Sequence, residues 1–190
     1  MDSNNNYEIE VKFKVNDFTK LRNDLKKINA ISNGNTFEQN YCFDDQNFTF
    51  KQKDHILRLR KVNDKVILTF KGAKEFEGHL KKREEIELEL SDFERMKIIF
   101  ERIGLNLRRI YEKKRENYLL NNVKVILEIV PFTGKYIELE GDAEEINQVM
   151  KLLKLKKEDA CDYTYGPEAE EWYKKGYQLT FEEEEKYNGR

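Results

Sequence analysis

Charged side chains recur two residues apart in several short segments of this 190-residue chain, with apolar residues between them. The first segment is residues 8–12, EIEVK, and the pattern returns at residues 57–60, LRLR, and at residues 137–140, IELE. Because successive side chains of a β-strand point to opposite faces, each segment predicts a strand with one apolar face and one charged face. Clustered carboxylates suit a hard divalent cation, and lysine and arginine suit phosphate oxygens.

The charged faces carry seven acidic and seven basic residues in the phase of these strands. The acidic set is Glu8, Glu10, Glu85, Glu87, Glu128, Glu138 and Glu140, and the basic set is Lys12, Arg58, Arg60, Lys71, Arg83, Lys113 and Arg115. An ordinary antiparallel sheet turns such a face to bulk water while its apolar face packs on helices. The alternative is a sheet that closes with its charges inside, and the near absence of neutral polar residues from these faces favours it.

A closed lumen with these side chains predicts a binding site for a metal and a polyphosphate. Ammonium and guanidinium groups in a narrow space repel one another unless a polyanion lies among them, and guanidinium forks match phosphate oxygens. The carboxylates repel one another likewise unless a hard cation binds them, so we expect Mg²⁺ or Mn²⁺ as the cofactor. This chemistry is equally compatible with hydrolysis, with cyclisation and with binding alone.

The elements that must position these side chains alternate between strands and amphipathic helices. The strands are expected at residues 7–14, 36–44, 55–62, 65–71, 83–90, 109–119, 123–130 and 135–140. Eight short strands with hairpin spacing indicate an antiparallel barrel or a strongly curved sheet. Of these we expect the barrel, an α+β fold in which a closed antiparallel eight-stranded β-barrel has helices packed on the outside.

Three helices are predicted from apolar periodicity and capping signals. Asp17 is a candidate N-cap for the first, which should end near the turn at residues 33–35. Residues 91–94 and 142–145 have the spacing of helix N-termini. We also expect a long charged connection at residues 74–82.

The composition is that of one soluble domain, which we assign to residues 1–190, with a core of about 7–165 and a C-terminal helix and acidic tail at 166–190. The acidic run at 182–185 should be solvated. Lysine and arginine number 35 against 37 acidic residues, so the net charge of −2 argues against a nucleic acid polymer as partner. No apolar run approaches the roughly 20 residues of a membrane span, so we expect no membrane and a cytoplasmic location. Exposed sheet edges would favour a homodimer.

Six segments, in order along the chain, carry a resemblance to a known family. They are residues 8–12 (EIEVK), 57–60 (LRLR), 69–72 (TFKG), 83–87 (REEIE), 113–115 (KKR) and 134–140 (GKYIELE). They resemble the ExExK, LRxR, TxKG, RxExE, KxR and GxFxEIE elements of the CYTH superfamily, the triphosphate tunnel metalloenzymes. That superfamily includes class IV adenylate cyclases, thiamine triphosphatases and inorganic tripolyphosphatases. The resemblance covers about residues 7 to 165.

The resemblance implies a role for each matching residue. Glu8, Glu10, Glu138 and Glu140 would hold the metal, with Glu128 as a further ligand where the family usually has Asp. Lys12, Arg58, Arg60, Lys71, Arg83, Lys113 and Arg115 would bind the phosphates, and Glu85 and Glu87 would order those bases. Lys12, Glu8 and Glu10 would be catalytic, and Tyr163 could reach the substrate.

One departure from the family pattern concerns Cys42, which stands where the family usually has an aromatic residue, often tyrosine. Tyr41 would face the opposite side of the strand unless a bulge restored it. A mechanism that pairs this tyrosine with Lys12 is therefore not expected. The resemblance implies hydrolysis of tripolyphosphate, ATP or thiamine triphosphate as the first expectation. The alternatives are class IV adenylate cyclase and a non-enzymatic polyphosphate- or nucleotide-binding module.

Overall fold

A computed structural model describes residues 6–161 and 166–189. The strands are β1 (Tyr7–Val15), β2 (Ile31–Asp44), β3 (Ile56–Val62), β4 (Lys65–Glu77), β5 (Leu80–Leu90), β6 (Asn106–Leu120), β7 (Val123–Val130), β8 (Gly134–Glu140) and β9 (Ala160–Cys161). The α-helices are α1 (Thr19–Lys27), α2 (Thr49–Gln52), α3 (Phe93–Arg102), α4 (Ala143–Leu153), α5 (Gly166–Lys174) and α6 (Phe181–Asn188).

The predicted closed antiparallel barrel is confirmed. Strands β5, β4, β3, β2, β6, β7, β8 and β1 are hydrogen-bonded neighbours in that order, and β5 pairs with β1 to close the ring. Within the described part of the chain, the short β9 adds to β1 at its other end, and the six α-helices lie outside. Closure removes the free sheet edges on which the homodimer expectation rested, so the oligomeric state stays a prediction.

The apolar face of the barrel points outward and is covered by helices. Val11 and Phe13 of β1 are 2% exposed and pack in one cluster with Leu25 of α1 and Ile146 of α4. Burial of each large aliphatic or aromatic side chain contributes about 1.5–3 kcal/mol. The strand alternation then leaves Glu10 and Lys12 no direction except the lumen, which excludes the alternative of a charged face on bulk water.

Helices α3 and α4 begin in the predicted segments, with Asp92 and Asp142 as N-caps, whereas α1 has Phe18 and not Asp17 at its N-cap, and it ends earlier than predicted. The carboxylate of Asp92 accepts a hydrogen bond from the Arg95 backbone N–H at 2.9 Å, and that of Asp142 accepts one from Glu144 at 2.8 Å. The chain reverses after α1 at Asn29, which has a φ of 57°. Asparagine tolerates this left-handed conformation, so residues 33–35 lie in β2 at a bulge and not in a helix-ending turn.

The expected long connection at residues 74–82 is wrong, because β4 and β5 continue as a paired hairpin. Lys74 is opposite Arg83 and Glu77 is opposite Leu80, after a bulge between Lys71 and Lys74. Gly78, with a φ of 66°, forms the turn. Leu80 is 4% exposed in the core under α4, which explains why a charge-rich segment forms strands. The extension brings Lys81 opposite Glu10 of β1.

The C-terminal segment packs on one end of the barrel. Leu179 is fully buried, and its backbone bonds to that of β6: the Glu112 N–H donates to the Leu179 carbonyl at 2.9 Å. The acidic run at 182–185 lies in α6: Glu182 and Glu185 are exposed as expected, whereas the carboxylate of Glu184 accepts a hydrogen bond from the Phe132 N–H at 2.6 Å. The single-domain assignment stays a prediction. None of the described helices has the length and apolar character needed to cross a bilayer.

Candidate active site

The charged strand faces enclose a cavity of about 230 Å³. The predicted site residues that line it are Glu8, Glu10, Lys12, Arg58, Arg60, Lys71, Arg83, Glu85, Glu87, Lys113, Arg115, Glu138 and Glu140. Glu128 lies behind this lining and is fully buried. Tyr163 lies outside the described residues. The fold thus brings both charged sets to one small space, which the strand pattern required but could not show.

Six lining residues were not predicted: the aliphatic Ile56 and Ile126, and the four polar residues Lys81, Tyr111, Asn117 and Lys124. The signal was present for three of the polar residues, because Tyr111 and Asn117 share the strand phase of Lys113, and Lys124 shares that of Glu128. Glu38 was also missed, although it is 4% exposed and contacts the lining arginines. Lys81 could not be found, since its segment was expected to be a loop.

One side of the lumen carries the four glutamates of β1 and β8, Glu8, Glu10, Glu138 and Glu140, which we call the acidic wall. Each of the four carboxylates contacts a lysine ammonium. The Nζ–Oε distances are 2.5 Å for Lys71–Glu8, 2.7 Å for Lys12–Glu138 and 2.5 Å for Lys124–Glu140, and Lys81 contacts Glu10. Arg115 also contacts Glu138, at 3.3 Å.

The acidic wall has the donor chemistry that a hard divalent cation needs. Glu10 and Glu140 are directly opposite each other across β1 and β8. Burial raises the pKa of Glu140, and the charges of Glu8 and Glu138 raise it further, although Lys124 opposes them. A dication would relieve this repulsion through oxygen ligands. Among the described residues no three carboxylate, histidine or cysteine groups are arranged to hold a metal ion, and a lysine contacts each carboxylate of the acidic wall.

The opposite side of the lumen carries Arg58, Arg60, Lys113 and Arg115 on β3 and β6, which we call the basic wall. Two buried carboxylates hold it. Glu128 contacts Lys12 at 2.6 Å, Lys113 at 3.0 Å and Arg115 at 3.0 Å. Glu38 contacts Arg115 at 3.1 Å and Arg60 at 3.7 Å. Each buried carboxylate therefore neutralises more than one cation.

The charges of the basic wall shift the ionisation of these groups strongly. Burial by itself would raise the pKa of Glu38, but the guanidinium groups of Arg115 and Arg60 outweigh it and lower that pKa to about 2. Burial by itself would also raise the pKa of Glu128, but the positive charges of Lys113 and Lys12 outweigh it and lower that pKa to about 2. Burial and the nearby Arg115 lower the pKa of Lys113 to about 7, against the attraction of Glu128.

Arg58 is oriented by four neighbours. Its guanidinium donates to the Tyr111 hydroxyl at 3.1 Å and to the Thr69 hydroxyl at 3.2 Å, and it lies 3.5 Å from a Glu85 oxygen and 3.7 Å from a Glu87 oxygen. The other Glu85 oxygen contacts Lys71 at 3.1 Å. Such a network holds a cationic side chain in one rotamer, as the ordering role proposed for Glu85 and Glu87 requires.

Arg83 lines the cavity but is bound to the barrel backbone. Its guanidinium donates hydrogen bonds to the carbonyl oxygens of Gly72 and Asp54, and it lies 3.6 Å from the Asp54 carboxylate. Arg83 is 3% exposed, so its charge contributes to the field of the lumen from a fixed position.

Tyr41 faces away from the lumen, as expected from the strand phase. Its ring packs edge-on against Phe93 of α3 with centroids 4.8 Å apart. A register shift does follow Cys42, but it does not turn Tyr41 inward. Cys42 packs with Tyr111 and Tyr136, and burial raises the pKa of its thiol. A partly buried thiol with little thiolate character is suited to packing and not to nucleophilic chemistry.

The C-terminal segment bounds the lumen at the end where Tyr111 lies. Tyr111, Tyr136, Ala169 and Leu179 form one buried cluster, and Trp172 and Tyr173 pack against it. Because Tyr111 both lines the cavity and contacts this cluster, the apolar side chains of α5 and Leu179 lie directly behind the charged lining.

Comparison with known proteins agrees with this geometry. The model of the CYTH domain family matches residues 6–162. A Methanocaldococcus jannaschii protein named "Putative adenylate cyclase" is 31% identical over 146 residues, which are 77% of this chain and 83% of that protein. A solved structure from Pyrococcus horikoshii superposes with a TM-score of 0.71 at 29% identity, over 83% of this chain and 96% of the other.

A plant structure shows the same fold at lower identity. It is a Hippeastrum protein described as a putative adenylyl cyclase with a dominant triphosphatase activity, and it has a TM-score of 0.64 at 15% identity over 92% of this chain and 98% of the other. At this identity the likeness concerns the fold alone.

Proposed function

This chain belongs to the CYTH domain family, and we propose that it is a divalent-metal-dependent triphosphatase that hydrolyses inorganic or organic triphosphates in its lumen. One observation carries the proposal. Seven basic side chains and the four carboxylates of the acidic wall line one cavity of about 230 Å³. Hydrolysis requires only a held phosphate chain, a metal and an attacking water. We therefore favour it over reactions that require a further pocket.

In the proposed mechanism Glu8, Glu10, Glu138 and Glu140 of the acidic wall would hold Mg²⁺ or Mn²⁺. Glu128 stays a predicted further ligand, although its two oxygens now contact Lys12, Lys113 and Arg115. When bound, the ion supplies Lewis-acid stabilisation of charge on a phosphoryl oxygen.

The basic residues bind and orient the phosphate chain. Arg58, Arg60 and Arg115 offer guanidinium forks, while Lys71, Lys113 and the fixed Arg83 add positive charge. The transition state of phosphoryl transfer spreads negative charge over the equatorial oxygens, so cations held in advance by Glu38, Glu85, Glu87 and Glu128 stabilise it without reorganising.

Lys12 is the residue that joins the two walls. Its ammonium lies 2.6 Å from Glu128 and 2.7 Å from Glu138, so it occupies the boundary between the acidic wall and the basic wall. A triphosphate that bridged a metal on one wall and the arginines of the other would pass beside this ammonium. We assign Lys12 the role of stabilising charge at the phosphorus under attack.

Class IV adenylate cyclase is the second candidate, and the Methanocaldococcus jannaschii relative is the observation that favours it. In that reaction the ribose 3′-hydroxyl of ATP attacks and pyrophosphate leaves. It requires space for a nucleoside, and the lining offers two aliphatic side chains, Ile56 and Ile126, on which a base could pack. A polyphosphate-binding module without turnover is the third candidate.

Product analysis separates the three candidates. The protein would be incubated with Mg²⁺ or Mn²⁺ and, in parallel, with tripolyphosphate, ATP or thiamine triphosphate, and the products identified by phosphorus NMR and ion chromatography. We expect orthophosphate with the corresponding diphosphate or pyrophosphate. Formation of cyclic AMP and pyrophosphate from ATP would reject the triphosphatase and identify an adenylate cyclase. Intact substrate that nevertheless binds would identify the binding module.

A double substitution, Glu8→Gln with Glu10→Gln, tests the metal assignment. Turnover should fall by more than about a hundredfold, because the metal-stabilised charge is worth several kcal/mol in the transition state. Affinity for tripolyphosphate without metal should stay equal or rise, since two anions leave the lumen. Glu89→Gln is the matched control, because Glu89 is an exposed carboxylate that pairs with Lys65 at 2.8 Å and is not in the cavity lining.

A further inference from the structure

We propose that Lys81 and Lys124 are built-in competitors of the divalent metal, and that their displacement couples metal binding to triphosphate binding. The inference rests on the proposed function, because it concerns how that site is loaded. Neither lysine belongs to the six segments that carry the family resemblance. Both line the cavity, and each contacts a carboxylate of the acidic wall.

Lys81 is placed by the β4–β5 hairpin. It lies directly opposite Glu10 in the pairing of β1 with β5, and its ammonium contacts the Glu10 carboxylate. The side chains of Lys81 and Glu10 are 13% and 7% exposed, so the pair lies inside the barrel. Lys81 therefore occupies space beside a carboxylate that a metal ion would need.

Lys124 is placed by β7. It lies directly opposite Glu140 in the pairing of β7 with β8, and its ammonium is 2.5 Å from a Glu140 oxygen. Its side chain is 62% exposed, so it can leave this position towards solvent or towards the lumen without opening the fold.

These two lysines differ from the other two ammonium groups of the acidic wall. Lys71 also contacts Glu85, and Lys12 also contacts Glu128, so each keeps a carboxylate partner when a metal takes Glu8 or Glu138. Among the described residues, Lys81 and Lys124 each form one ion pair, with Glu10 and with Glu140. A cation bound between Glu10 and Glu140 would compete with the ammonium groups of Lys81 and Lys124 and release them.

The exchange has a simple charge balance. Two ammonium groups carry the same charge as one divalent ion, so the acidic wall stays neutralised after the replacement. The lumen, however, gains two tethered cations that have lost their carboxylates. Phosphate oxygens are the natural new partners for them. Metal should therefore raise the affinity for triphosphate, and triphosphate should raise the affinity for metal by the same factor.

The test measures metal affinity directly. Mn²⁺ would be titrated into the wild type, Lys81→Met, Lys124→Met and the double variant, with free Mn²⁺ followed by electron paramagnetic resonance. Each titration would be repeated with a tripolyphosphate analogue whose bridging oxygens are replaced by NH groups. In the absence of the analogue, each single variant should bind Mn²⁺ about tenfold more tightly, because the competing ammonium is gone.

The coupling should change in the opposite direction. The factor by which the analogue tightens Mn²⁺ binding should fall by about tenfold in the double variant. Lys65→Met is the matched control, since this lysine forms a comparable pair with Glu89 that is exposed and not in the cavity lining, and it should change neither quantity. Lys81→Gln, which can still hydrogen-bond to Glu10, serves as a second variant should Lys81→Met fold poorly.

Unchanged or weaker Mn²⁺ binding by folded Lys81 and Lys124 variants would overturn the inference. This failure is separate from that of the proposed function. Tighter Mn²⁺ binding in the variants without turnover of any triphosphate by the wild type would support the competition and reject the triphosphatase. Turnover by the wild type with unaltered Mn²⁺ affinity in the variants would support the triphosphatase and reject the competition.

Discussion

The two walls of the lumen use the same kinds of side chain in different ways. In the basic wall, Glu38 and Glu128 are almost fully buried, and each contacts two or three cations. In the acidic wall, Glu10 and Glu140 each contact one lysine, and the lysine of Glu140 is largely exposed. The number of cationic partners therefore distinguishes a permanent ion cluster from pairs that can exchange.

This difference has an energetic basis. Removing one partner of a buried ion cluster leaves uncompensated charge in a medium of low dielectric constant, which costs about 3–5 kcal/mol. A pair near solvent contributes about 0–1 kcal/mol, because water and salt can replace either partner. Glu38 and Glu128 should thus contribute to folding, whereas Glu140, whose lysine partner is largely exposed, should contribute mainly to ligand binding. The following substitutions test that division.

The largest effect is expected for Glu128→Gln. It would leave Lys12, Lys113 and Arg115 without their shared carboxylate, and the free energy of unfolding at pH 7 should fall by about 3–5 kcal/mol. Urea denaturation measures this quantity. Glu89→Gln, on the exposed surface, should stay within about 0.5 kcal/mol of the wild type. A loss for Glu128→Gln as small as that of this control would remove the distinction between the walls.

Glu38→Gln should give the next largest loss, and that loss should depend on pH. The folded-state pKa of Glu38 is lowered from 4.5 to about 2. A lowered carboxyl pKa stabilises the fold above pH 4.5, and that stabilisation disappears as the pH falls to about 2. The wild type should exceed the variant by about 3 kcal/mol at pH 7. Acid titrations of unfolding should converge below pH 4.5, and curves that stay parallel would contradict the assignment.

Glu140→Gln, from the acidic wall, should change stability little. Its raised pKa means that its negative charge disfavours the fold at neutral pH, so a neutral amide should leave the free energy of unfolding within about 1 kcal/mol or raise it slightly. Mn²⁺ affinity should nevertheless drop by about tenfold or more. Large destabilisation with intact metal affinity would mean that the acidic wall, too, is a structural cluster.

The smallest expected effect concerns the protonation of Lys113. With a pKa of about 7, this lysine is largely neutral at pH 8, and a polyanion in the lumen should restore its proton. Binding of the imido analogue should take up about one proton per site at pH 8 and fewer at pH 6. Calorimetry in two buffers of different ionisation enthalpy measures this uptake. It should vanish in Lys113→Met, and its persistence there would assign the proton to another group.

The alternation of side chains along the strands predicted most of the lining, but not the buried carboxylate Glu38 that contacts the lining arginines. Alternation in β1, β3 and β8 was sufficient to predict that residues such as Glu10, Arg58 and Glu140 share one face. The same phase in β6 would have identified Tyr111. Glu38 could not be recognised in this way, because its importance comes from contacts with Arg60 and Arg115 on two other strands.

The β4–β5 hairpin shows the limit of local pattern most clearly. Residues 74–82 are dense in charge, and such a segment is typical of a solvated loop. The register with β1 and the burial of Leu80 make it a strand pair, and Lys81 enters the lumen as a result. Acidic residues 182–185 form a helix for a similar reason, since the Thr180 side chain accepts a hydrogen bond from the Glu183 N–H and the Glu184 carboxylate accepts one from the Phe132 N–H.

By itself, the sequence determined that this protein forms alternating strands with one apolar and one charged face, and which residue types could bind metal and phosphate. Periodicity is a local property, so it can be recognised without knowledge of distant contacts. Only the tertiary structure decided which carboxylates lie buried among several cations and which meet a single lysine. Those environments depend on pairing between strands far apart along the chain, and they alone separate fixed charges from exchangeable ones.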